Sequence, residues 1–183
     1  MRPERTLRII GGQWRGRKWR FPPGAIRPTP DRVRETLFNW LEPRIEGARC
    51  LDLFAGSGAL GLEALSRGAA AVLFIEQQRA PAAAIGQRLS DWRASGGSVI
   101  CAEAVQYLAA SAPQPFDVVF LDPPFDSGAL STASAALERG WLAHDARIYI
   151  EHARRASPPV LPARWRELRS GSAGEVGYHL YGC

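Results

Sequence analysis

The stretch Arg49-Cys50-Leu51-Asp52-Leu53-Phe54-Ala55-Gly56-Ser57-Gly58-Ala59-Leu60-Gly61 decides how the rest of the chain is read. A short apolar run ends in an acid and passes at once into three glycines spaced over six residues. Such a run is a buried strand, and the glycines let the backbone turn sharply into a helix without a Cβ in the way. Outward from it, further apolar runs follow at 71–75, 98–101, 116–121 and 147–150. Between them, 57–67, 80–94, 103–111 and 129–140 carry helical patterns. Strands alternating with helices predict an open, mostly parallel sheet covered on both faces. The tail departs from this rhythm: 164–169 and 175–181 flank Ser170-Gly171-Ser172-Ala173-Gly174, a hairpin signature that predicts antiparallel strands at the end of the sheet. About seven strands result.

Ahead of this body, residues 7–21 (LRIIGGQWRGRKWRF) read as a short hairpin turning at Gly11-Gly12, and Pro22-Pro23-Gly24 breaks it. Thr29-Pro30-Asp31 then reads as a helix start with Thr29 as N-cap. Val33, Leu37, Trp40 and Leu41 recur at helical spacing, with Arg32 and Glu35 outside, and the helix should stop near Pro43. The boundary expected from this reading separates a basic extension, 1–44, from a catalytic domain, 45–183.

Charge supports that division. The 183 residues carry a net +5. Residues 1–44 hold ten Arg and Lys18 against Glu4, Asp31, Glu35 and Glu42, a net of +7, so the remainder balances at −2. A basic front on a near-neutral body suggests a surface for phosphate. Arg15, Arg17, Lys18 and Arg20 alternate with Trp14, Trp19 and Phe21, offering cations for phosphates and rings for stacking. An equally good reading puts the rings in the core and only the charges outside. Arg27, Arg32 and Arg34 extend the basic set, and Arg27, Thr29 and Arg34 could instead lie over a cofactor. Three scattered cysteines, Cys50, Cys101 and Cys183, fit neither a disulfide framework nor a zinc site. His144, His152 and His179 show no metal spacing, and no metal is expected. No apolar run approaches the roughly 18 residues of a membrane span, and the expected location is the cytoplasm.

Two motifs carry chemistry. The glycine turn sits where a helix N-terminus presents free N–H groups. Glu76 closes the second strand, 20 residues after Gly56, where a carboxylate can accept both ribose hydroxyl protons. Gly56-Ser57-Gly58-Ala59-Leu60-Gly61 also matches the dinucleotide pattern. Asp52 tilts the reading towards S-adenosylmethionine: its carboxylate could meet an ammonium group, whereas it would repel a pyrophosphate. The second motif, Asp122-Pro123-Pro124-Phe125, ends a buried strand, so it should face the same crevice as Gly56 and Glu76. The prolines fix the backbone so that the Asp122 carboxylate and the Pro123 carbonyl converge. An exocyclic amine can donate to both, leaving its lone pair aimed at a methyl donor. Phe125 offers a face for a base to stack on, worth roughly 1–3 kcal/mol.

With these residues in view, the chain resembles the class I, Rossmann-like methyltransferases that act on amino nitrogens. The front segments Gly11-Gly12-Gln13-Trp14-Arg15-Gly16-Arg17, Arg27-Pro28-Thr29, Asp31-Arg32-Val33-Arg34-Glu35 and Leu37-Phe38-Asn39-Trp40-Leu41 narrow the likeness to the RsmD family, from residue 8 to about 181. That resemblance implies methylation of the N2 amine of one guanine in 16S rRNA, on an assembled or partly assembled small subunit; a monomer is expected. It also implies that Asp52, Phe54, Ala55, Gly56, Ser57, Gly58, Glu76 and Gln77 hold S-adenosylmethionine, and that Glu103-Ala104 lie by its adenine. Asp or Asn is usual at position 103, so Glu103 is a departure. Asp122 to Phe125 would hold the guanine. The rivals are methylation of another RNA or of adenine N6 in DNA, an NAD-dependent oxidoreductase, and a non-catalytic RNA-binding assembly factor.

Overall fold

The computed structural model describes residues 5–21, 29–124, 128–156 and 159–183. Its centre is a seven-stranded sheet: β3 (Arg49–Asp52), β4 (Ala71–Glu76), β5 (Gly97–Cys101), β6 (Phe116–Leu121), β7 (Leu142–Ala153), β8 (Arg166–Ala173) and β9 (Val176–Gly182), in the order β5-β4-β3-β6-β7-β9-β8. Strands β5 to β7 run parallel, and β9 and β8 pair antiparallel at one edge. This is the doubly wound α/β sheet, with its terminal hairpin, that the alternation of segments predicts.

Helices cover both faces because both faces are apolar. On one side, α1 (Asp31–Ile45), α2 (Ala59–Ser66) and α3 (Arg79–Asp91) bury Leu37, Leu41, Leu62 and Ile85 against Cys50, Phe74 and Phe120. On the other, α4 (Ala104–Ala110) and α5 (Ala129–Leu137) pack Leu108, Ala133 and Leu137 on Val119, Ile148 and Trp141. The third glycine of the turn, Gly61, lies in α2 against Phe74: a Cβ there would stand 2.1 Å from the ring's Cε1. Its bare backbone sets the helix-to-sheet distance.

The hairpin is present as β1 (Arg5–Arg8) and β2 (Lys18–Phe21), but the chain does not reverse at Gly11-Gly12 alone. A single 3₁₀ turn, Gly12–Trp14, widens the reversal, and Gly12 (φ +75°) presses so closely on Ser66 that a Cβ would meet its carbonyl at 1.9 Å. The buried Glu63 carboxylate in α2 accepts the N–H groups of Ile10 (2.9 Å) and Gly11 (2.8 Å), fixing the hairpin to the body. In β2, Trp19 and Phe21 face inward while Lys18 and Arg20 face water. Trp14 and Trp19 close on Trp92 beyond α3, with ring centroids at 5.2 and 5.8 Å. The rings therefore belong to the core and do not stack on nucleic acid.

Three local expectations change. Helix α1 has Pro30 as its N-cap, because the Thr29 hydroxyl is turned elsewhere. It also runs through Pro43 to Ile45: a proline in the last turn forfeits one amide bond where little helix remains to disrupt. Strand β7 is longer than 147–150, since it pairs with β6 on one side and β9 on the other, past a register shift near Phe116.

Candidate active site

Sheet order reverses between β3 and β6, so the loops leaving these two strands diverge and open a crevice at their carboxyl ends. Asp52 is in register with Phe120, which puts Asp122 two residues further along the neighbouring strand. A cavity of about 530 Å³ fills the crevice, lined by Asp52 to Ser57 on one side and by Asp122, Pro123 and Pro124 on the other. The glycine turn and the acid–proline–proline turn share one chamber.

The turn is held by its own backbone. The N–H of Ala55 donates to the Ile75 carbonyl (2.9 Å), that of Gly58 donates to the Ala55 carbonyl (2.7 Å), and Gly58 adopts φ +75°. Glu76, at the end of β4, accepts from the N–H of Gly56 (2.8 Å) and of Gln78 (2.8 Å), one on each carboxylate oxygen. It thus shapes the turn while lining the cavity beside Gln77. Asp52 is buried and accepts from the Gly61 N–H at 3.0 Å. Burial pushes its carboxyl up to about 7; the Gly61 bond opposes the shift, and the Glu76 charge adds to it. Phe54, Ala55 and Ala104 complete the wall. Glu103 also lines the cavity, but its carboxylate caps α4 through the N–H groups of Val105 (3.1 Å) and Gln106 (2.8 Å).

Asp122 is partly open to the chamber, and burial, with Glu151 and Asp52 nearby, holds its carboxyl well above the ordinary carboxylate range. Phe125 lies outside the described residues, as does Arg27. Beyond the residues the sequence singled out, Glu151 from β7 and Val176 from β9 line the cavity; Thr29, which the sequence offered as an N-cap or as lying over a cofactor, lines it too and donates to Glu151. Glu151 did carry a signal, an acid directly following the apolar run 147–150 in a buried strand.

Five acids, Asp52, Glu76, Glu103, Asp122 and Glu151, line the chamber, and no Arg, Lys or His does among the described residues. Such a lining suits a cationic ligand and disfavours a diphosphate. S-adenosylmethionine, whose sulfonium is cationic and whose ammonium and ribose hydroxyls donate hydrogen bonds, fits that set of acceptors.

The basic residues divide. Arg15, Arg17, Lys18, Arg20 and Arg32 are exposed, with Arg17 lying over the Trp92 ring at 5.7 Å. Arg34 is not part of an RNA surface: it is fully buried, bonded to Asp31 (2.6 Å), to the Arg8 carbonyl (2.9 Å) and to Glu63 (3.5 Å). It neutralises the buried Glu63 and ties α1 to α2. A narrow crevice lined by Trp19, Arg20, Phe21 and Arg88 touches Gly56 and Ser57, so the hairpin borders the glycine turn.

A family model described as conserved hypothetical protein 95 matches residues 7–182, and the curated relatives it brings into view share both length and sequence. The chain belongs to the RsmD family. Ribosomal RNA small subunit methyltransferase D of Escherichia coli (strain K12) is 51% identical over 178 residues, 96% of this chain and 89% of that protein. The protein of the same name from Haemophilus influenzae is 44% identical over 180 residues, 96% of this chain and 93% of its own length. Among solved structures, the putative methyltransferase yhhF from Escherichia coli superposes with a TM-score of 0.89 at 48% identity, covering 97% of each chain. The putative methylase HI0767 from Haemophilus influenzae gives 0.83 at 42%, covering 97% of this chain and 98% of its own. As a member of this family, the chain is a methyltransferase that depends on S-adenosylmethionine. Among the described residues no helix is long and apolar enough to cross a membrane, and no group of three or more His, Cys, Asp or Glu could hold a metal.

Proposed function

We propose that this chain transfers a methyl group from S-adenosylmethionine to the exocyclic N2 amine of a guanine in 16S rRNA, within the small ribosomal subunit or its assembly intermediate. The observation that carries the proposal is the shared chamber. Asp52 and Glu76 line the same cavity as Asp122 and Pro123, at the ends of the adjacent strands β3, β4 and β6. The names of the relatives supply the class of RNA.

In this reading the Asp122 carboxylate and the Pro123 carbonyl accept the two amine protons and turn the nitrogen lone pair into the chamber. The bound cofactor supplies a methyl group made electrophilic by sulfonium. Asp52 faces the cofactor's ammonium, and Glu76 its ribose. Pro124 and Phe125 flank the base, which reaches the chamber only when flipped out of its helix. Catalysis rests on holding the amine and on the acid lining, which favours the positive charge that develops on nitrogen. The exposed cations of residues 1–44, Arg15, Arg17, Lys18, Arg20 and Arg32, together with Arg27, form the RNA-facing surface, and the enzyme works as a monomer in the cytoplasm.

The test uses small subunits from a strain lacking this protein, incubated with it and with S-adenosylmethionine labelled in the methyl group. Nuclease digestion and mass spectrometry should find N2-methylguanosine at a single position. Label in N6-methyladenosine, or no transfer to RNA, would overturn the assignment.

A further inference from the structure

Beside Asp122 stands an acid that the reaction described so far does not use. Leu121 and Ile150 are in register across β6 and β7, so Asp122 and Glu151 follow as neighbours on adjacent strands, and both line the chamber. Glu151 is only 4% exposed. Its Oε1 accepts from the Thr29 hydroxyl at 2.7 Å and from the Tyr149 hydroxyl at 2.9 Å. Thr29 also lies within hydrogen-bonding reach of the Asp122 carboxylate. One hydroxyl from the segment ahead of α1 thus sits against both carboxylates, while Tyr149 fixes Glu151 from within its own strand.

We propose that Glu151 is a positioning residue for methyl transfer: held by Thr29 and Tyr149 alongside Asp122, its charge makes Asp122 the acceptor of the proton that the methylated amine must lose. This rests on the methyl-transfer reading above. The amine nitrogen gives its lone pair to the new carbon–nitrogen bond as the methyl's bond to sulfur breaks and leaves its electron pair on sulfur. The nitrogen is then positively charged and carries one hydrogen too many. Asp122, ionised beforehand, takes that proton along the hydrogen bond by which it held the amine, and passes it to water when the base leaves.

A carboxylate at its ordinary proton affinity is a weak base for this step, and catalytic acids are tuned towards the working pH by burial and neighbours. The groups facing Asp122 supply that tuning. Burial acts most, then the charge of Glu151 on β7 and of Asp52 on β3, all raising its proton affinity, while the Thr29 hydroxyl lowers it. Tyr149, with Tyr178 of β9 beside it, stays protonated, because burial and the Glu151 charge push its phenol well up. It therefore remains a donor to Glu151.

The experiment is a carbon-13 NMR titration of the aspartate carboxyls in the cofactor-free protein, with Asp122→Asn to assign the resonance. It is paired with pH–rate profiles for methylation of small subunits. In Glu151→Gln the Asp122 midpoint should fall by about one pH unit or more, as expected when a like charge is removed. The acid limb of the rate should move down with it, and the plateau should fall about tenfold because the base is weaker. Tyr149→Phe removes one of the donors that hold Glu151 beside Asp122 and should move the midpoint the same way by less; it serves if Glu151→Gln does not fold. A folded variant whose midpoint and acid limb both stay put would overturn the proposal, even if it melts at a lower temperature. Failure of the wild type to methylate RNA would instead remove the methyl-transfer reading, with the titration still deciding how Asp122 and Glu151 interact.

Discussion

Lowering the pH from 7 to 5 should weaken the binding of S-adenosylmethionine, and Asp52 is the reason. Burial raises its carboxyl to about 7, so at pH 7 about half of the apo molecules hold it ionised. An ammonium group pairs with the ionised form alone. Below the midpoint the ionised fraction falls tenfold per unit, so affinity should drop about fiftyfold by pH 5, at about 1.4 kcal/mol per decade. The ligand's ammonium keeps its charge over this range. Titration calorimetry at pH 5, 6 and 7, in two buffers of different ionisation enthalpy, reads both the constant and the protons. At pH 6 close to one proton should be released per cofactor bound. Asp52→Asn should bind weakly at all three values, with no slope and no release. Stability responds with the opposite sign. A carboxyl raised from 3.8 to about 7 takes up protons on folding, so Asp52 makes the apo protein less stable as pH rises from about 4 to 7. Asp52→Asn should therefore melt higher than wild type at pH 8. A wild-type affinity that does not change between pH 5 and 7, or an unchanged slope in Asp52→Asn, would refute the reasoning.

Gly61→Ala places a methyl 2.1 Å from the Phe74 ring. It should cost about 1–3 kcal/mol in denaturant unfolding, and a neutral result would mean that α2 is free to move off β4. Arg34→Ala strands the buried Glu63 charge, although Arg67 still reaches it at 2.9 Å. A loss of about 3–5 kcal/mol is expected, and a loss of RNA affinity with full stability would restore Arg34 to the binding surface. Arg15→Glu combined with Arg17→Glu should weaken binding to small-subunit RNA and make its logarithmic salt dependence shallower by roughly 1.5. Unchanged binding would leave these side chains as solvated charge.

The sheet was legible because its signals are local. Buried parallel strands need unbroken apolar runs, and the glycine turn and the acid–proline–proline turn each fall at a strand end. Strand adjacency then follows from the winding rule, which is why the shared chamber could be anticipated. Contacts between distant segments left weaker marks. Thr29 has the residue type of an N-cap, yet its hydroxyl serves Glu151, 122 residues away. Arg34 lies in a run of exposed charges in the sequence, and only the meeting of α1 with α2 gives it the buried Glu63 as a partner. His152 and His179 look isolated, but β7 and β9 bring their Nε2 atoms to 2.9 Å. The alternation of rings and cations in β2 marks a strand with one wet face, and pattern alone does not tell a stacking platform from a core. Trp92, the ring that closes this cluster, lies more than 70 residues further on.

The role of Asp122 offers the most direct measurement of the shared chamber. Asp122→Ala should bind S-adenosylmethionine within about twofold of wild type in calorimetry, since Asp52, Glu76 and the glycine turn remain. In a single-turnover assay its methyl transfer to small subunits should fall at least about a hundredfold. Transfer at the wild-type rate, or loss of cofactor binding together with transfer, would contradict a chamber in which one turn holds the methyl donor and the other the base.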